Sequence, residues 1–406
     1  MRNLFLSAII IIQFIACKNA AKKLSIDAEK AETIIPINSI PIEYHGFIRV
    51  KGSLDKVRSS FIIDSGADWF CLDSTFHYSN CRIKYKYKNF VVKGVGNNTQ
   101  DVPIITDSLF LSLGRNINYY AKSVPVINLK VIGGDIVDGL VGTDFLEKRI
   151  LEINYKKEYV RFLNNLDAVD ISKYKKIKMI IIDYRYCISL TIKINDKIKI
   201  DGYFMIDTGC PGSDITSSVA DKFKLTNNIS HKVRFYSKYG GVGGETSGYD
   251  FIANSLQISD FSFKNVIMSF SSDKSGLLAD EEYLGIIGNN ILERFDVIFD
   301  FRNNNLYLKP NGDINATFIQ NKLGFFYSDR CKTKGGWIVK GLYENSEAEK
   351  QGLKTDDKIT SVNGIPVEEF SYKYQRDTLP GLDHIKLVIE RAGEIKNIEV
   401  KLSPLL

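Results

Sequence analysis

The sequence predicts a mainly β protein with two homologous β-barrel lobes in tandem, followed by a small α+β domain. Three observations support this prediction. A set of motifs occurs twice, in the same order and at nearly the same spacing. Each copy consists of short β-branched and aromatic runs that are separated by Gly and Asn. After Pro310 the pattern changes, which marks a third domain.

The order of the segments follows from these changes in composition. It comprises a signal peptide (1–17), a tether (18–38), a first lobe (39–166), a second lobe (167–312) and a C-terminal domain (313–406). The 406 residues exceed one ordinary domain, and 44% apolar with 25% charged residues indicate a globular chain. The net charge of +6 is spread out without a basic stripe, so we predict no nucleic-acid partner.

The first segment has the composition of a signal peptide. Arg2 precedes about a dozen apolar residues, a run too short to span a bilayer. The following FIAC, which ends at Cys17, resembles the lipobox of bacterial lipoproteins, in which cleavage leaves a lipidated N-terminal cysteine. We therefore expect export to the periplasmic or cell-surface side of a bacterial membrane, with a lipid anchor at Cys17. Cleavage nearby by an ordinary signal peptidase is the alternative.

The cysteines and histidines predict no metal site. The five cysteines after Cys17 include no CxxC pair, and the four histidines lack ligand spacing. Cys71 and Cys81 could pair in an oxidising compartment or stay free, and the sequence leaves both alternatives open.

Short runs predict the strands of both lobes. In the first lobe these runs are GFIRVKG, SSFIID, SLFLSLG, DGLVG, RILEINY and EYVRFLN. In the second lobe they are ISLTIKIN, YFMID, FDVIFDF and LYLKP. Helical periodicity is limited to short stretches, namely 217–224 and the residues just after Gly142 and Gly288.

The two copies align through three motifs. FIIDSGADWF at 61–70 returns as FMIDTGCPGS at 204–213, and a glycine-rich turn at 93–99 returns at 239–246. A longer segment, which begins DGLVGTDFLE, returns as LGIIGNNILE. Corresponding residues are 143 to 147 positions apart, as for Asp64 and Asp207, Gly96 and Gly243, and Gly142 and Gly288. This agreement indicates an internal duplication.

An aspartate at the end of an apolar strand is costly unless another group compensates its desolvation. The apolar run FII leads directly into Asp64, and Asp207 has the same place in the second copy. Two similar β lobes side by side leave a cleft between them. Pseudo-twofold symmetry would bring the two carboxylates together at that cleft.

The residues around both aspartates resemble a known family. Each aspartate is followed by a hydroxyl residue and a glycine, which are Ser65-Gly66 and Thr208-Gly209. Each lobe also carries a hydrophobic-hydrophobic-glycine segment, Leu140-Val141-Gly142 and Ile286-Ile287-Gly288. Over residues 40–310 the chain is similar to the bacterial relatives of retropepsins and pepsins, the aspartic proteases.

The resemblance implies a mechanism. Asp64 and Asp207 would hold one water between them, with one carboxylate as base and the other as acid. No metal or organic cofactor would be needed, and a monomer would be catalytically competent because each lobe brings its own aspartate.

The resemblance also implies roles for the neighbouring residues. Ser65 and Thr208 would reach across the lobe boundary with their hydroxyls. Gly66 and Gly209 would allow a tight turn whose N–H groups approach the carboxylates. The glycines of the two hydrophobic segments would let a strand pass close behind each loop. Ordinary turn duty is the alternative for all four glycines.

The glycine-rich turns have two interpretations. As flaps, Gly94, Val95 and Gly96 together with Gly241, Val242 and Gly243 would be mobile hairpin tips that close over a substrate. As plain hairpin turns they need no ligand. The first turn lacks the tyrosine of pepsin-like flaps, which favours a more symmetric, retropepsin-like cleft.

Three residues near the triplets have no counterpart in the family pattern. Cys210 follows the second triplet, and we interpret its thiol as a small apolar filler. Asp68 and Asp214 lie at unequal distances from their triplets, and we interpret both as solvated loop carboxylates.

The sequence after Pro310 resembles a PDZ domain, on the strings SEAEKQGL, DDKI and VNG. Leu323, Gly324, Phe325 and Phe326 stand where PDZ domains place the loop that takes a peptide's terminal carboxylate. The resemblance implies that a peptide adds there as a strand beside the sheet. Two alternatives stay open: the protein's own chain fills the groove, or the module only braces the second lobe.

The predicted function is that of an exported, membrane-tethered aspartic endopeptidase whose C-terminal module assists recruitment of a substrate or partner. The alternative is a peptide-binding or scaffolding lipoprotein that has the same fold and hydrolyses nothing. Both aspartates and both hydroxyl neighbours are present, which favours the peptidase. A serine hydrolase is not supported, because the sequence has no GxSxG motif and no plausible histidine partner.

Overall fold

A computed structural model describes residues 35–80, 85–94, 96 and 99–406. Residues 38–406 form one compact unit, and the described residues before it form no helix or strand. The predicted mainly β fold class is confirmed, because 48% of residues lie in strands and 17% in helices. Cys17 with the rest of the predicted signal peptide, Cys81 and Val95 lie outside the described residues.

Twelve of the described strands belong to the first lobe and eleven to the second. The first-lobe strands are β1 (Ile40–Tyr44), β2 (Ile48–Leu54), β3 (Val57–Ile63), β4 (Cys71–Asp73), β5 (Tyr87–Lys93), β6 (Thr99–Ile105), β7 (Leu109–Leu113), β8 (Ile117–Ala121), β9 (Val124–Ile127), β10 (Gly139–Val141), β11 (Ile150–Asn154) and β12 (Tyr159–Leu163). The second-lobe strands are β13 (Lys175–Lys178), β14 (Ile180–Ile182), β15 (Arg185–Lys193), β16 (Lys199–Ile206), β17 (Asp214–Ile215), β18 (Lys232–Gly241), β19 (Gly244–Ile258), β20 (Phe261–Ser271), β21 (Gly285–Ile287), β22 (Phe295–Asp300) and β23 (Asn305–Pro310).

The C-terminal domain adds six strands, and short helices lie between the strands throughout. The strands are β24 (Phe325–Asp329), β25 (Trp337–Tyr343), β26 (Lys358–Val362), β27 (Ile365–Pro366), β28 (His384–Arg391) and β29 (Glu394–Lys401). The helices are α1 (Ser74–Asn80), α2 (Lys130–Gly133), α3 (Thr143–Leu146), α4 (Ser217–Lys222), α5 (Leu225–Asn228), α6 (Asn289–Leu292), α7 (Cys331–Lys334), α8 (Glu347–Lys350) and α9 (Tyr372–Asp377). Among the residues described, no helix is long and apolar enough to cross a bilayer.

Both lobes place the same strands around the aspartate turn. In the first lobe β3 runs parallel to β10, with Ile63 opposite Val141. In the second lobe β16 runs parallel to β21, with Ile206 opposite Ile287. The aspartate directly follows β3 in one lobe and β16 in the other. The sequence repeat is therefore also a repeat in three dimensions.

The two lobes share one sheet. Strand β11 of the first lobe pairs antiparallel with β22 of the second, from Ile150 opposite Asp300 to Asn154 opposite Asp296. All five residues of β11 and all six of β22 are buried. One apolar core runs through both lobes, while the C-terminal domain has a core of its own around Trp337. The shared sheet fixes the two aspartate turns relative to each other.

The C-terminal domain is joined to both lobes. Strand β25 pairs with β18 of the second lobe, with Tyr343 opposite Phe235. On the side of the first lobe, the Arg330 side chain donates to Asp135 Oδ1 (2.9 Å), and the N–H of Thr333 donates to Asp135 Oδ2 (2.8 Å). These contacts are those expected from the bracing alternative, and a buried ion pair extends them to the first lobe.

The ion pair between Asp135 and Arg330 makes a testable contribution to stability. Both side chains are buried, so removing one partner leaves an uncompensated charge. We expect Asp135→Ala to lower the free energy of unfolding by about 3–5 kcal/mol, measured by urea denaturation. The exposed pair between Asp260 and Lys175 is the control, and Asp260→Ala should cost at most about 1 kcal/mol. Equal losses in the two variants would contradict the assignment.

Candidate active site

The two aspartate turns are held from behind by matching hydrogen bonds. The N–H of Asp64 donates to Val141 O, and the N–H of Asp207 donates to Ile287 O, both at 3.0 Å. The next segment repeats the match, since Thr143 N–H donates to Ala67 O and Asn289 N–H to Cys210 O, both at 2.8 Å. A side chain in place of Gly142 or Gly288 would collide with the carbonyl oxygens of these turns.

The hydroxyl residues after the aspartates cross the lobe boundary in both directions. Ser65 Oγ donates to Ile206 O, and Thr208 Oγ1 donates to Ile63 O, both at 2.8 Å. Each hydroxyl also accepts the N–H of the other residue, at 3.0 Å for Ser65 N and 3.1 Å for Thr208 N. Both side chains are fully buried. Four hydrogen bonds therefore lock one turn onto the other.

This lock can be tested by replacing Thr208 with valine, which keeps the shape and removes the hydroxyl. The carbonyl of Ile63 and the N–H of Ser65 would then be buried without their partner. At about 1–3 kcal/mol for each orphaned group, we expect a loss of roughly 2–5 kcal/mol in unfolding free energy by urea denaturation. Thr226→Val on the exposed face of α5 is the matched control. A variant as stable as that control would refute the role of the hydroxyl.

The carboxyl groups of Asp64 and Asp207 lie within hydrogen-bonding distance of each other. Asp64 Oδ1 accepts the N–H groups of Gly66 (2.9 Å) and Ala67 (3.0 Å). Of the backbone N–H groups in the described residues, Asp207 Oδ1 accepts that of Gly209 alone (2.7 Å). The turns thus aim backbone donors at both carboxyl groups, with one more donor on Asp64.

Gly66 and Gly209 are required by close approach across the lobe boundary. A Cβ on Gly66 would overlap the carboxyl group of Asp207, and a Cβ on Gly209 would overlap that of Asp64. Each carboxyl group therefore packs on the glycine of the opposite turn. Only glycine leaves room for the two acids to meet.

Burial and proximity raise the pKa values of the pair. Burial is the main cause for both groups, and the negative charge of Asp64 raises the pKa of Asp207 further. Two carboxyl groups this close cannot both ionise cheaply. The pair therefore holds one proton over a wide pH range and titrates as a unit.

Arg185, the first residue of β15, is a site residue that sequence reasoning missed. Its guanidinium is buried and ion-pairs with Asp68. It also lies close enough to the pair of Asp64 and Asp207, called the dyad from here on, to lower the pKa of both aspartates, although the opposite effect of burial is larger. The only signal in the sequence was a cation at the head of a strand that is otherwise mostly apolar.

The charge of Arg185 makes a prediction about pH dependence. It favours the ionised form of the dyad, so Arg185→Gln should raise the pKa of the carboxyl group that must be ionised. The acid limb of a kcat/KM profile for a reaction that needs the ionised carboxyl group should then move to higher pH. Asp68→Asn removes the ion pair while the cation stays, and we expect no upward shift from it. An acid limb that stays in place in Arg185→Gln would contradict the electrostatic role.

The dyad lies in a cleft of about 1380 Å³ between the lobes. The hairpins β5–β6 and β18–β19 meet there, since Gly94 contacts Val242 and the side chain of Gln100 donates to Val242 O. Of the predicted flap residues, Gly94, Gly241 and Val242 line the cleft. Gly96 and Gly243 pack on each other beside them. The structure therefore brings both glycine-rich turns together at the cleft that contains the dyad.

The interpretation of Asp214 as a solvated loop carboxylate is wrong, whereas Asp68 does lie in a loop with its side chain 41% exposed. Asp68 ion-pairs with the buried Arg185. Asp214 begins β17 and lines the cleft, where burial and then the charge of Asp250 raise its pKa to about 7. Cys210 donates to Asp214 Oδ2 (3.9 Å), and burial raises the pKa of its thiol well above the ordinary value. The number of residues that separates Asp68 or Asp214 from its triplet predicts neither the ion pair of Asp68 nor the burial of Asp214.

The predicted carboxylate loop of the C-terminal domain is divided between two environments. Leu323 and Phe325 are buried in the core of that domain, while Phe326 lines the interlobe cleft. The N–H of Leu323 already donates to Asn321 Oδ1 (2.9 Å). Gly324, at φ +76°, makes the turn between Leu323 and Phe325.

The described residues contain neither a cluster of metal ligands nor a disulfide at Cys71. Within the described ranges, no group of three or more His, Cys, Asp or Glu side chains could hold a metal ion. Cys71 is a buried free thiol that donates to Trp69 O (3.3 Å). Cys81, with which the sequence allows Cys71 to pair, lies outside the described residues.

Two segments of the chain match known families. Residues 190–291, which include Asp207 and Gly288, match the aspartyl protease family, and residues 313–390 match the PDZ domain. The predicted resemblance is thereby confirmed for both: the chain carries an aspartyl protease domain and a C-terminal PDZ domain. The first match covers the second lobe, and the equivalence of the first lobe stands on the matching geometry of its turn.

Other similarities are distant. No curated protein matches the chain. Among solved structures, it is similar to the crystal structure of conglutin gamma, a basic 7S globulin from lupine seeds, with 13% sequence identity and a TM-score of 0.41. That similarity covers 68% of this chain and 95% of conglutin gamma, and it is too weak to bear on function.

Proposed function

We propose that the protein is an aspartic endopeptidase that hydrolyses peptide bonds with a water held between Asp64 and Asp207. One observation carries the proposal. Two turns related by the pseudo-twofold symmetry place the carboxyl groups of Asp64 and Asp207 within hydrogen-bonding distance of each other, and both groups line the cleft. The match of residues 190–291 to an aspartyl protease family supports it.

The shared proton defines the chemistry. The ionised aspartate takes a proton from the water as the water attacks the amide carbonyl carbon. The protonated aspartate donates to the carbonyl oxygen, which gives a neutral tetrahedral intermediate. The proton taken from the water then passes to the leaving nitrogen as the C–N bond breaks, and one hydroxyl of the intermediate returns its proton to the aspartate that had donated one, which re-forms the carbonyl group. Because Asp64 accepts one more N–H group than Asp207, we assign Asp64 as the base and Asp207 as the acid.

The cleft suits an extended peptide. Its volume of about 1380 Å³ exceeds the roughly 300–1,000 Å³ of small-molecule pockets. The two hairpins that meet at the cleft would exclude water from the reacting bond once a peptide is bound. Both carboxyl groups come from one chain, so a monomer is sufficient in this proposal.

Cleavage of defined peptides tests the proposal. Purified protein is incubated with a mixed peptide library at several pH values in the presence of a metal chelator, and the products are identified by mass spectrometry. We expect internal cuts that are absent in Asp64→Asn and Asp207→Asn. Cleavage that persists in both variants would overturn the dyad mechanism. Peptide binding without any cleavage at any pH would support the non-catalytic peptide-binding alternative.

We further propose that the protein is exported and lipid-anchored at Cys17. The N-terminal FIAC and the apolar run before it support this proposal. Cells that express the chain are fed labelled fatty acid, and the label should enter the wild type and not Cys17→Ser. Equal labelling of both forms would overturn the anchor.

A further inference from the structure

A β-bulge in the C-terminal domain sets the position of Lys340. Along β24 and β25 the pairing passes from Phe326 opposite Gly341 to Tyr327 opposite Val339, so Lys340 is the extra residue. Bulges re-aim side chains and are common beside active sites. Val339 before the bulge and Leu342 after it are buried in the domain core. The strand is therefore anchored on both sides of the bulge.

The side chain of Lys340 lies in the wall of the interlobe cleft, the same cleft that contains Asp64 and Asp207. Its Nζ donates to the carbonyl oxygen of Ile132, on α2 of the first lobe, at 3.3 Å. The PDZ domain thus contributes a cation to the cleft between the two protease lobes.

Lys340 has no carboxylate counter-ion in the described part of the chain, and burial alone shifts its pKa. Other lysines packed against this sheet are paired, as Lys358 is with Glu390 (2.6 Å) and Lys238 with Asp356 (2.7 Å). Burial lowers the pKa of Lys340 to about 8, so the ammonium group stays mostly protonated at neutral pH. The desolvation of this buried ammonium group is not compensated by an ion pair, and a bound anion would provide that compensation.

Aromatic side chains surround this part of the cleft. Phe326 and Tyr343 have ring centroids 4.8 Å apart, and Phe326 and Phe235 lie 5.9 Å apart. All three rings line the cleft together with Lys340. Tyr343 donates to the carboxyl group of Asp250 in the same wall, and burial raises the pKa of that group. The ammonium group of Lys340 beside these rings favours a ligand that carries one negative charge next to apolar surface, because low local polarity strengthens a charged hydrogen bond.

We infer that Lys340 forms a subsite of the cleft that binds a carboxylate of the peptide substrate. This inference rests on the proposed function, since it names the class of peptide that the cleft prefers. The carboxylate belongs either to an Asp or Glu side chain or to the C terminus of the peptide. Both sources present the same chemistry to the ammonium group, and they are separated by the experiment.

Binding to a variant that cannot cleave tests the inference. The full chain carrying Asp64→Asn is titrated with fluorescent decapeptides of apolar residues in which Glu, Gln or Lys is placed at each position in turn. Every peptide is made with a free C-terminal acid and with an amide. We expect the preferred acidic peptide to bind about 10- to 100-fold more tightly than its neutral partner, as for one charged hydrogen bond. A Glu-over-Gln preference in amidated peptides identifies a side chain, and an acid-over-amide preference identifies the C terminus.

Variants of Lys340 complete the test. In the Asp64→Asn background, Lys340→Gln should abolish the preference for acidic peptides and Lys340→Arg should keep it. Lys340→Glu should reverse it, so that the peptides that carry Lys bind most tightly. Lys401→Gln, on the exposed side of β29, is the matched control and should keep the preference. A preference that survives Lys340→Gln, or no preference in the parent chain, would overturn the subsite.

The two proposals fail in different ways. If the wild type cleaves peptides without regard to their charge, the subsite fails and the endopeptidase stands. If no peptide is cleaved but acidic peptides bind through Lys340, the endopeptidase fails and the subsite stands. The midpoint of thermal unfolding is measured for each Lys340 variant. A midpoint equal to that of the parent chain shows that the variant is folded and that its loss of peptide preference is not caused by unfolding.

Discussion

Replacing Asp64 or Asp207 with asparagine is expected to lower kcat/KM for peptide cleavage by at least about a thousandfold. Asparagine keeps the size of the side chain but can neither accept a proton from water nor share one with its partner. Because the two groups act as a unit, the double variant should be no worse than either single variant by more than a small factor. Steady-state kinetics on one cleaved peptide measures all three.

The control for this prediction is Asp201→Asn. Asp201 lies on β16, the strand that leads to Asp207, and its side chain is exposed. We expect wild-type activity from it. Relief of the repulsion between the two carboxyl groups should leave both dyad variants at least as stable as the wild type in thermal unfolding. Losses that multiply in the double variant would mean that the aspartates act independently, which the shared proton does not permit.

Gly209→Ala is expected to lower kcat by about a hundredfold, because the added methyl group overlaps the carboxyl group of Asp64 and must displace it. A shift of about 1 Å in a reacting group is enough for a loss of this size. The backbone of Gly209 does not have a positive φ, so the effect is steric rather than conformational. Overpacking of the turn should also cost about 1–3 kcal/mol of stability.

Gly212→Ala is the matched control for this steric effect. Gly212 belongs to the same turn segment, and a Cβ there meets no atom within 4 Å. Its activity should stay within about twofold of the wild type. If Gly209→Ala and Gly212→Ala lose activity equally, flexibility of the segment rather than room for the carboxyl group sets the rate.

The internal repeat was the most informative feature of the sequence. The strands that run into Asp64 and Asp207, and the glycines behind them, were predicted from local runs and matched spacing, because these features depend on residues close in the chain. The cross-lobe contacts of Ser65 and Thr208 came from the family resemblance and not from any pattern. Their hydrogen bonds span 141 to 145 positions.

Charged groups near the dyad were predicted least well. Asp214 reaches the cleft through a strand pairing with the distant residue Ile286, and Arg185 through its ion pair with the distant Asp68. Nothing in the residues around Asp214 distinguishes a cleft wall from a solvated loop, and we assigned the commoner case. The bulge at Lys340 had no sequence signal either, since a bulge is defined by the register of two strands and not by one of them.

The guanidinium of Arg185 has no counterpart in the first lobe: by the register of the two hairpins Arg185 stands opposite Asp207, whereas the apolar Phe47 stands opposite Asp64. The duplicated halves are therefore not interchangeable around the reacting bond. A strictly symmetric pair would process an extended chain equally well in either direction, N to C or C to N. With a guanidinium on one side only, the two binding orientations of one peptide are no longer equivalent, so the cleft has a polarity and one orientation across the two aspartates is preferred.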